Sequence, residues 1–258
     1  GLGMTAVRNS THYGIAGYYA LMAAKAGMIG ITGTNARPSV APTFGIENML
    51  GTNALTFGMP TDEKFPFLLD CATSTTQRGK IEVYAKLGLK MPKGWAINNK
   101  GEARTDSRAV LSELVAGTAA LLPLGGIGEE MSGYKGYGYS TVVEILSAAL
   151  QQGAYMKMLL GIKNGKKVPY HLGHFFLAIN IEALTPLRSF KKIAGDILRE
   201  LRASKKMPGA RKIFTAGEKE YLECQYRKNR GVPLNRETQR EILAMQKELG
   251  LKDYNFNF

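Results

Sequence analysis

Three residues stand where chemistry could be done. His12 follows Asn9-Ser10-Thr11, between an apolar alternating stretch and a helical one. Imidazole moves protons near neutral pH, and open α/β sheets hold ligands at the carboxyl ends of their strands. The plainer role for such a residue is local hydrogen bonding at a helix start. Asp70 closes the apolar run "FPFLL" and precedes "CATS", whose small side chains would let a ligand approach the backbone. That carboxylate could accept from ligand hydroxyls or cap the following helix. Lys135 lies in "GGIGEEMSGYKGYGYS" (125–140), where glycines, a lysine and a helix start together favour an anion such as phosphate. A simple glycine-rich connector would read the same way.

That glycine-rich stretch fits neither common nucleotide loop. Gly126-Ile127-Gly128 is followed by Met131 where G-x-G-x-x-G needs glycine. Gly128 and Gly133 have P-loop spacing, but Tyr134 precedes Lys135 and Gly136 follows it. His171 and His174 flank "LG" ahead of an apolar run, and a structural role is the expectation for both.

These residues need elements to position them. Residues 3–10 and 28–33 read as strands around a helix over 15–27, with Ile15, Tyr18, Tyr19, Leu21, Met22 and Ala24 as its apolar face. Strands over 54–60 and 65–73 form a hairpin around "TDEK". A helix over 76–88 ends at Gly88, and Asn99-Lys100-Gly101 forms a tight turn. Helices follow over 140–161, over 187–205 with Phe190, Ile193, Ile197, Leu198 and Leu201 inward, and over 235–250 with Ile242, Leu243, Met245 and Leu249 as its stripe. A strand covers 174–180. The expectation is an α/β protein with a mixed sheet, a main domain over 1–218 and a helical segment over 219–258.

A chain of 258 residues can bury a sizeable core. It has no run long and apolar enough for a membrane helix. Two cysteines, Cys71 and Cys224, with three histidines give no basis for a metal cluster, and a reducing cytoplasm is the default compartment. The net charge is +13, with thirteen Lys/Arg against five Asp/Glu between Arg188 and Arg230. Basic excess of this kind serves nucleic acid or an anionic ligand. No aromatics interleave with it as a base-stacking platform would require, so a solvated face is the preferred reading.

In series, "VRNSTHYGIAGYYALMAAKAGMIGITGTN" (7–35), "GTNALTFGMP" (51–60), "LLDCATS" (68–74), "RGKI" (78–81), "LLPLGG" (121–126), "YKGYGYS" (134–140), "GHFFLAIN" (173–180) and "AGE" (216–218) cover nearly the whole chain. In this order they resemble the malate/L-lactate dehydrogenase family of the second type. That group includes ureidoglycolate and sulfolactate dehydrogenases, diketogulonate reductase and piperideine-carboxylate reductase. The resemblance implies a non-Rossmann, sulfolactate-dehydrogenase-like fold with flanking helices. It also implies interconversion of a 2-hydroxy acid such as malate or lactate with its 2-oxo acid using NAD or NADP, in a homodimer whose site lies at the subunit interface.

His12 matches the proton-exchanging histidine of "NSxHxG". Asp70, Cys71 and Ala72 match the cofactor-contacting start of "DMATS", and Lys135 and Gly136 match "KGYG". Ala216, Gly217 and Glu218 match a "PGE"-type cofactor turn that here lacks its proline. Ala36 falls where some members place a serine on the cofactor, leaving only its backbone to serve. Family members carry a further N-terminal region with a histidine and an arginine of the substrate site, and such a region is expected to be missing here. Reduction of a cyclic imine 2-carboxylate is the rival within enzymes, and a basic nucleic-acid-binding module the rival outside them.

Overall fold

Two strands, β1 (Leu2–Ser10) and β2 (Met28–Thr34), flank a helix, α1 (Ala16–Lys25), as the apolar periodicity requires. They are not hydrogen-bonded to each other. A strand from far along the chain, β10 (Leu172–Asn180), lies between them and pairs antiparallel with both, so β1 and β2 run parallel. The hairpin of β3 (Leu55–Met59) and β4 (Phe67–Cys71) completes a five-stranded sheet in the order β1-β10-β2-β3-β4. Every ladder in it is antiparallel; the parallel pairing among the described residues is the single bridge Val40–Leu121.

The computed structural model describes residues 1–256 and 258, in two compact units, Gly1–Glu218 and Lys219–Phe258. In the first unit α2 (Arg78–Lys86), β5 (Ala96–Asn98), β6 (Ala103–Arg104), α3 (Ser107–Ala116) and β7 (Ala119–Leu121) form a second layer. Its strands pair in the order β6-β5-β7. Val40, Leu50, Ile81, Val110 and Leu121 are buried together at its centre. Helix α4 (Gly133–Ala148), the small hairpin β8 (Ile162–Lys163) and β9 (Lys166–Lys167), and α5 (Leu187–Ala203) complete the set. The second unit consists of most of α6 (Glu218–Arg227) and of α7 (Arg236–Glu248). Among the described residues no helix is long and apolar enough to cross a membrane.

The sheet meets α1 through its small residues, not through the expected broad apolar face. Of the expected face Ala24 is buried, together with Ala16, Gly17 and Ala20, whereas Ile15, Tyr18 and Met22 are exposed. The cause is a close approach at the cross-strand pair Gly30–Gly58. A Cβ at Gly30 would stand 2.7 Å from the Ala20 carbonyl oxygen, and one at Gly58 2.5 Å from it.

Helix α5 departs similarly. Leu198 is buried, but Ile193, Ile197 and Leu201 are exposed. Its docking is polar, through Arg199 Nη1 on Asp62 Oδ1 at 2.9 Å and Arg202 on Glu63, both in the β3–β4 turn. In α7 no residue is buried, so its apolar stripe is uncovered within its own unit.

Helix α4 starts at Gly133, inside the glycine-rich stretch, and not at Ser140. The glycines there are packing requirements. A Cβ at Gly136 would lie 2.3 Å from Leu124 backbone atoms, and one at Gly133 2.2 Å from the Gly126 carbonyl oxygen. Helix α3 was not expected, although Asp106, which accepts from the Arg108 and Ala109 amides, and the left-handed Gly117 mark its two ends.

Gly58→Ala should cost about 1–3 kcal/mol, because the obstacle is rigid backbone. Gly138→Ala, where a Cβ meets nothing within 4 Å, should instead stabilise α4 by up to ~1 kcal/mol. Urea denaturation of the two variants reads the contrast.

Candidate active site

A cleft of about 670 Å³ opens where the β1–α1 loop, the ends of β2 and β4, and the start of α2 converge. Its lining includes His12, Ala36, Asp70, Cys71 and Ala72, so five of the ten residues singled out from the sequence share one space. Lys135, Gly136, Ala216, Gly217 and Glu218 do not line it. Lys135 lies in the first turn of α4, its ammonium 5.7 Å from the Tyr134 ring centre.

The 216–218 turn is tied to β4, since the Leu68 amide donates to the Ala216 carbonyl at 3.3 Å. Glu218 is buried with Lys212 Nζ 2.5 Å from its carboxylate. Burial opposes its ionisation, but Lys212, the Thr215 amide and Arg202 outweigh it and hold the carboxyl below its usual range.

His12 is exposed to the cleft. The Gly14 amide donates to its Nδ1 at 3.1 Å, so the neutral ring carries its proton on Nε2. The loop is fastened on both sides of it. His174, 2% exposed, places Nε2 3.1 Å from the Thr11 carbonyl, which can only accept, and Nδ1 2.7 Å from Thr34 Oγ1. Tyr13 stacks on the His174 ring at 4.3 Å, and the Tyr19 hydroxyl donates to the Tyr13 carbonyl at 2.9 Å. Burial pushes the Tyr13 phenol up to about 12. Burial also lowers the His174 pKa; the Thr11 carbonyl works against this, and His12 adds to it. His174 therefore holds the loop as a neutral ring.

Asp70 caps a helix, but the helix is α1 and not the one that follows it. Its Oδ2 accepts from the Gly17 amide at 2.7 Å, and its Oδ1 accepts from the Thr56 hydroxyl at 2.9 Å. The α1 cap residue, Ile15, has no polar side chain to do this. Beside Asp70, burial raises the Cys71 thiol, and the neighbouring carboxylate adds to the effect.

Behind the cleft lies a buried amide–carboxylate network that sequence reasoning missed. Glu144 accepts from the Met156 amide and from Asn53 Nδ2, each at 2.8 Å. Asn53 Oδ1 in turn accepts from the Ala36 amide at 3.2 Å, so that amide is already engaged. Asn35 accepts from the Gly173 amide and donates to the Ala154 carbonyl. Burial raises the Glu144 pKa, opposed by these N–H donors. The signal was present: "GTN" occurs at 33–35 and at 51–53, with each threonine on the cleft and each asparagine fully buried, and Glu144 is a lone carboxylate within "TVVEILSAAL".

The cleft suits a nucleotide. Ala36, Ala54, Ala72 and Ser74 keep its walls low, and Thr76 Oγ1 is buried without a hydrogen-bond partner. The α2 N-terminus has no capping side chain, and its flanking residues Thr76, Gln77 and Lys80 line the cleft. Uncapped amides at a helix start are suited to phosphate.

The model of the malate/L-lactate dehydrogenase family matches residues 1–243, and the chain belongs to that family. It is 48% identical over 252 residues to a malate dehydrogenase of Pyrococcus abyssi, covering 98% of this chain and 67% of that one. It is 34% identical over 258 residues to an L-sulfolactate dehydrogenase of Methanocaldococcus jannaschii, covering 98% of this chain and 69% of that one. The crystal structure of malate dehydrogenase from Entamoeba histolytica matches with a TM-score of 0.92 at 45% identity, covering all of this chain and 70% of that one. The protein is thus an enzyme of the dehydrogenase class.

Asp70→Asn removes the charge from the acceptor of two part-buried bonds and should cost about 1–2 kcal/mol in urea denaturation. The lowered His174 pKa means the unfolded chain binds an extra proton first. Stability should therefore fall as pH drops below ~6.5, the ordinary histidine value, and level off below the folded-state pKa. Denaturation across this window should show a shallower slope in His174→Gln than in the parent.

Proposed function

We propose that this chain carries the site of an NAD- or NADP-dependent 2-hydroxy acid dehydrogenase whose substrate bears a second anionic group. The observation that carries the reading is His12, which presents Nε2–H to a cleft walled by small residues. Malate and sulfolactate, the compounds that name the two relatives, each have an anionic group beyond the 2-hydroxy carboxylate.

A bound nicotinamide cofactor supplies the hydride for reduction of the 2-oxo acid and takes it back in oxidation. The walls of Ala36, Ala72, Ser74 and Thr76 and the start of α2 would hold it. Lys135 and the 216–218 turn are further cofactor contacts on the strength of the family resemblance.

His12 donates from Nε2 to the oxygen at C2 as negative charge develops there. To transfer the proton outright, the ring must enter as imidazolium, with a hydrogen on Nδ1 replacing the contact from the Gly14 amide. Gly14 sits at φ +86° with open space around it, so the loop has room for that change. In oxidation the neutral ring, as its Nδ1–H tautomer with Nε2 free, takes the hydroxyl proton on Nε2 and becomes the imidazolium. Such a group contributes on the order of 10²–10⁴ in rate.

A homodimer in the cytoplasm completes the proposal. Ile15, 75% exposed, lines the cleft beside exposed Tyr18 and Met22, an apolar surface suited to a second copy.

Nicotinamide absorbance assays against malate, sulfolactate, lactate and their 2-oxo acids test the activity. His12→Gln should lower kcat by about 10²–10⁴ while leaving cofactor affinity within error. Near-normal turnover would remove His12 from the mechanism. A cyclic imine 2-carboxylate belongs in the same panel, since its reduction in preference to every 2-oxo acid would replace this reading.

A further inference from the structure

Among the described residues lining the cleft are His12 and two charged side chains, Asp70 and Lys80. Both oxygens of Asp70 are engaged by the Gly17 amide and the Thr56 hydroxyl, and His12 faces the reacting oxygen. Lys80, in the first turn of α2, is therefore the one permanent cation among the described residues lining this space. Its ammonium lies 5.0 Å from the centre of the Trp95 ring. Trp95 stacks obliquely on Tyr84 at 5.1 Å and packs on the buried cluster of the second layer. An aromatic face holds a lysine head by cation–π attraction, so the Lys80 ammonium is held over Trp95 before any ligand arrives.

We propose that Lys80 pairs with the distal anionic group of the substrate, a carboxylate or sulfonate on the carbon next to the 2-hydroxy centre. It is thereby the residue that selects dianionic over monoanionic 2-hydroxy acids. This assignment rests on the dehydrogenase reading above. His12 lines the cleft from the β1–α1 loop and Lys80 from α2; the proposal puts the substrate's C2 oxygen at the first and its far end at the second. A cofactor phosphate is the other anion that could meet Lys80. The uncapped amides at the start of α2 and the unpartnered Thr76 hydroxyl already offer donors for it.

The test uses Lys80→Met, which keeps the stem on Trp95 without the charge, and Lys80→Arg, which keeps the charge. Steady-state kinetics on malate, sulfolactate and lactate are paired with titrations followed by the emission of Trp95, the only tryptophan in the chain. A charge-assisted contact of this kind is worth about 10- to 100-fold. Lys80→Met should raise KM and the binding midpoint for malate and sulfolactate by that factor. The lactate KM and cofactor affinity should move less than ~2-fold on the same scale, and Lys80→Arg should recover most of the loss.

Equal loss for lactate would place Lys80 on the C1 carboxylate, and loss of cofactor affinity alone would place it on a phosphate. Either result overturns the proposal. An unchanged malate KM in Lys80→Met, with an active parent, overturns this assignment alone. A parent enzyme that binds and oxidises none of the three acids overturns the dehydrogenase reading and this one with it.

Discussion

The bond from the Gly17 amide to Asp70 holds the site together. It joins the start of α1 to the end of β4, elements separated by fifty-three positions in the chain. Helix α1 begins without a cap of its own, so its first amides need an acceptor from elsewhere. Asp70 provides it, and Thr56 on the neighbouring strand holds the second oxygen. Glycine at 17 keeps this contact short, since a Cβ there would stand 2.8 Å from Asp70 Oδ2 and would displace the carboxylate. Because His12 lies on the loop that leads into α1, its position in the cleft follows from a helix cap.

The opposite wall depends on a second buried polar system. Glu144, Asn53 and Asn35 form a set of hydrogen bonds with backbone amides that nothing apolar could replace without leaving those amides unpaired. Thr34 and Thr52 face the cleft from the same segments. A rigid rear wall and a pinned histidine loop make the cleft preorganised, which a hydride transfer requires of its reacting centres. His174 contributes by staying neutral beneath the loop, where a charged ring would be poorly solvated.

Much of this was legible in the chain. The strand–helix–strand opening, the β3–β4 hairpin and β10 follow from apolar periodicity, which reports whether a segment has a buried face. His12, Asp70, Cys71, Ala72 and Ala36 were brought to one site by the order of motifs. Periodicity failed where contact is made through small or charged residues. It assigned α1 and α5 inward faces of large apolar side chains, while the actual contacts are Ala20 against Gly30 and Gly58, and Arg199 against Asp62. It also read the glycines at 133 and 136 as loop formers, when both lie in a helix pressed against neighbouring backbone.

The sequence by itself determined most of the element types and the family, because these depend on residue order and local pattern. Tertiary structure decided which helix Asp70 caps, which nitrogen of His12 meets the Gly14 amide and that Lys80 lines the same cleft as His12. The first and last of those depend on a distance between residues far apart in the chain, which only the packed sheet and its small-residue contacts set.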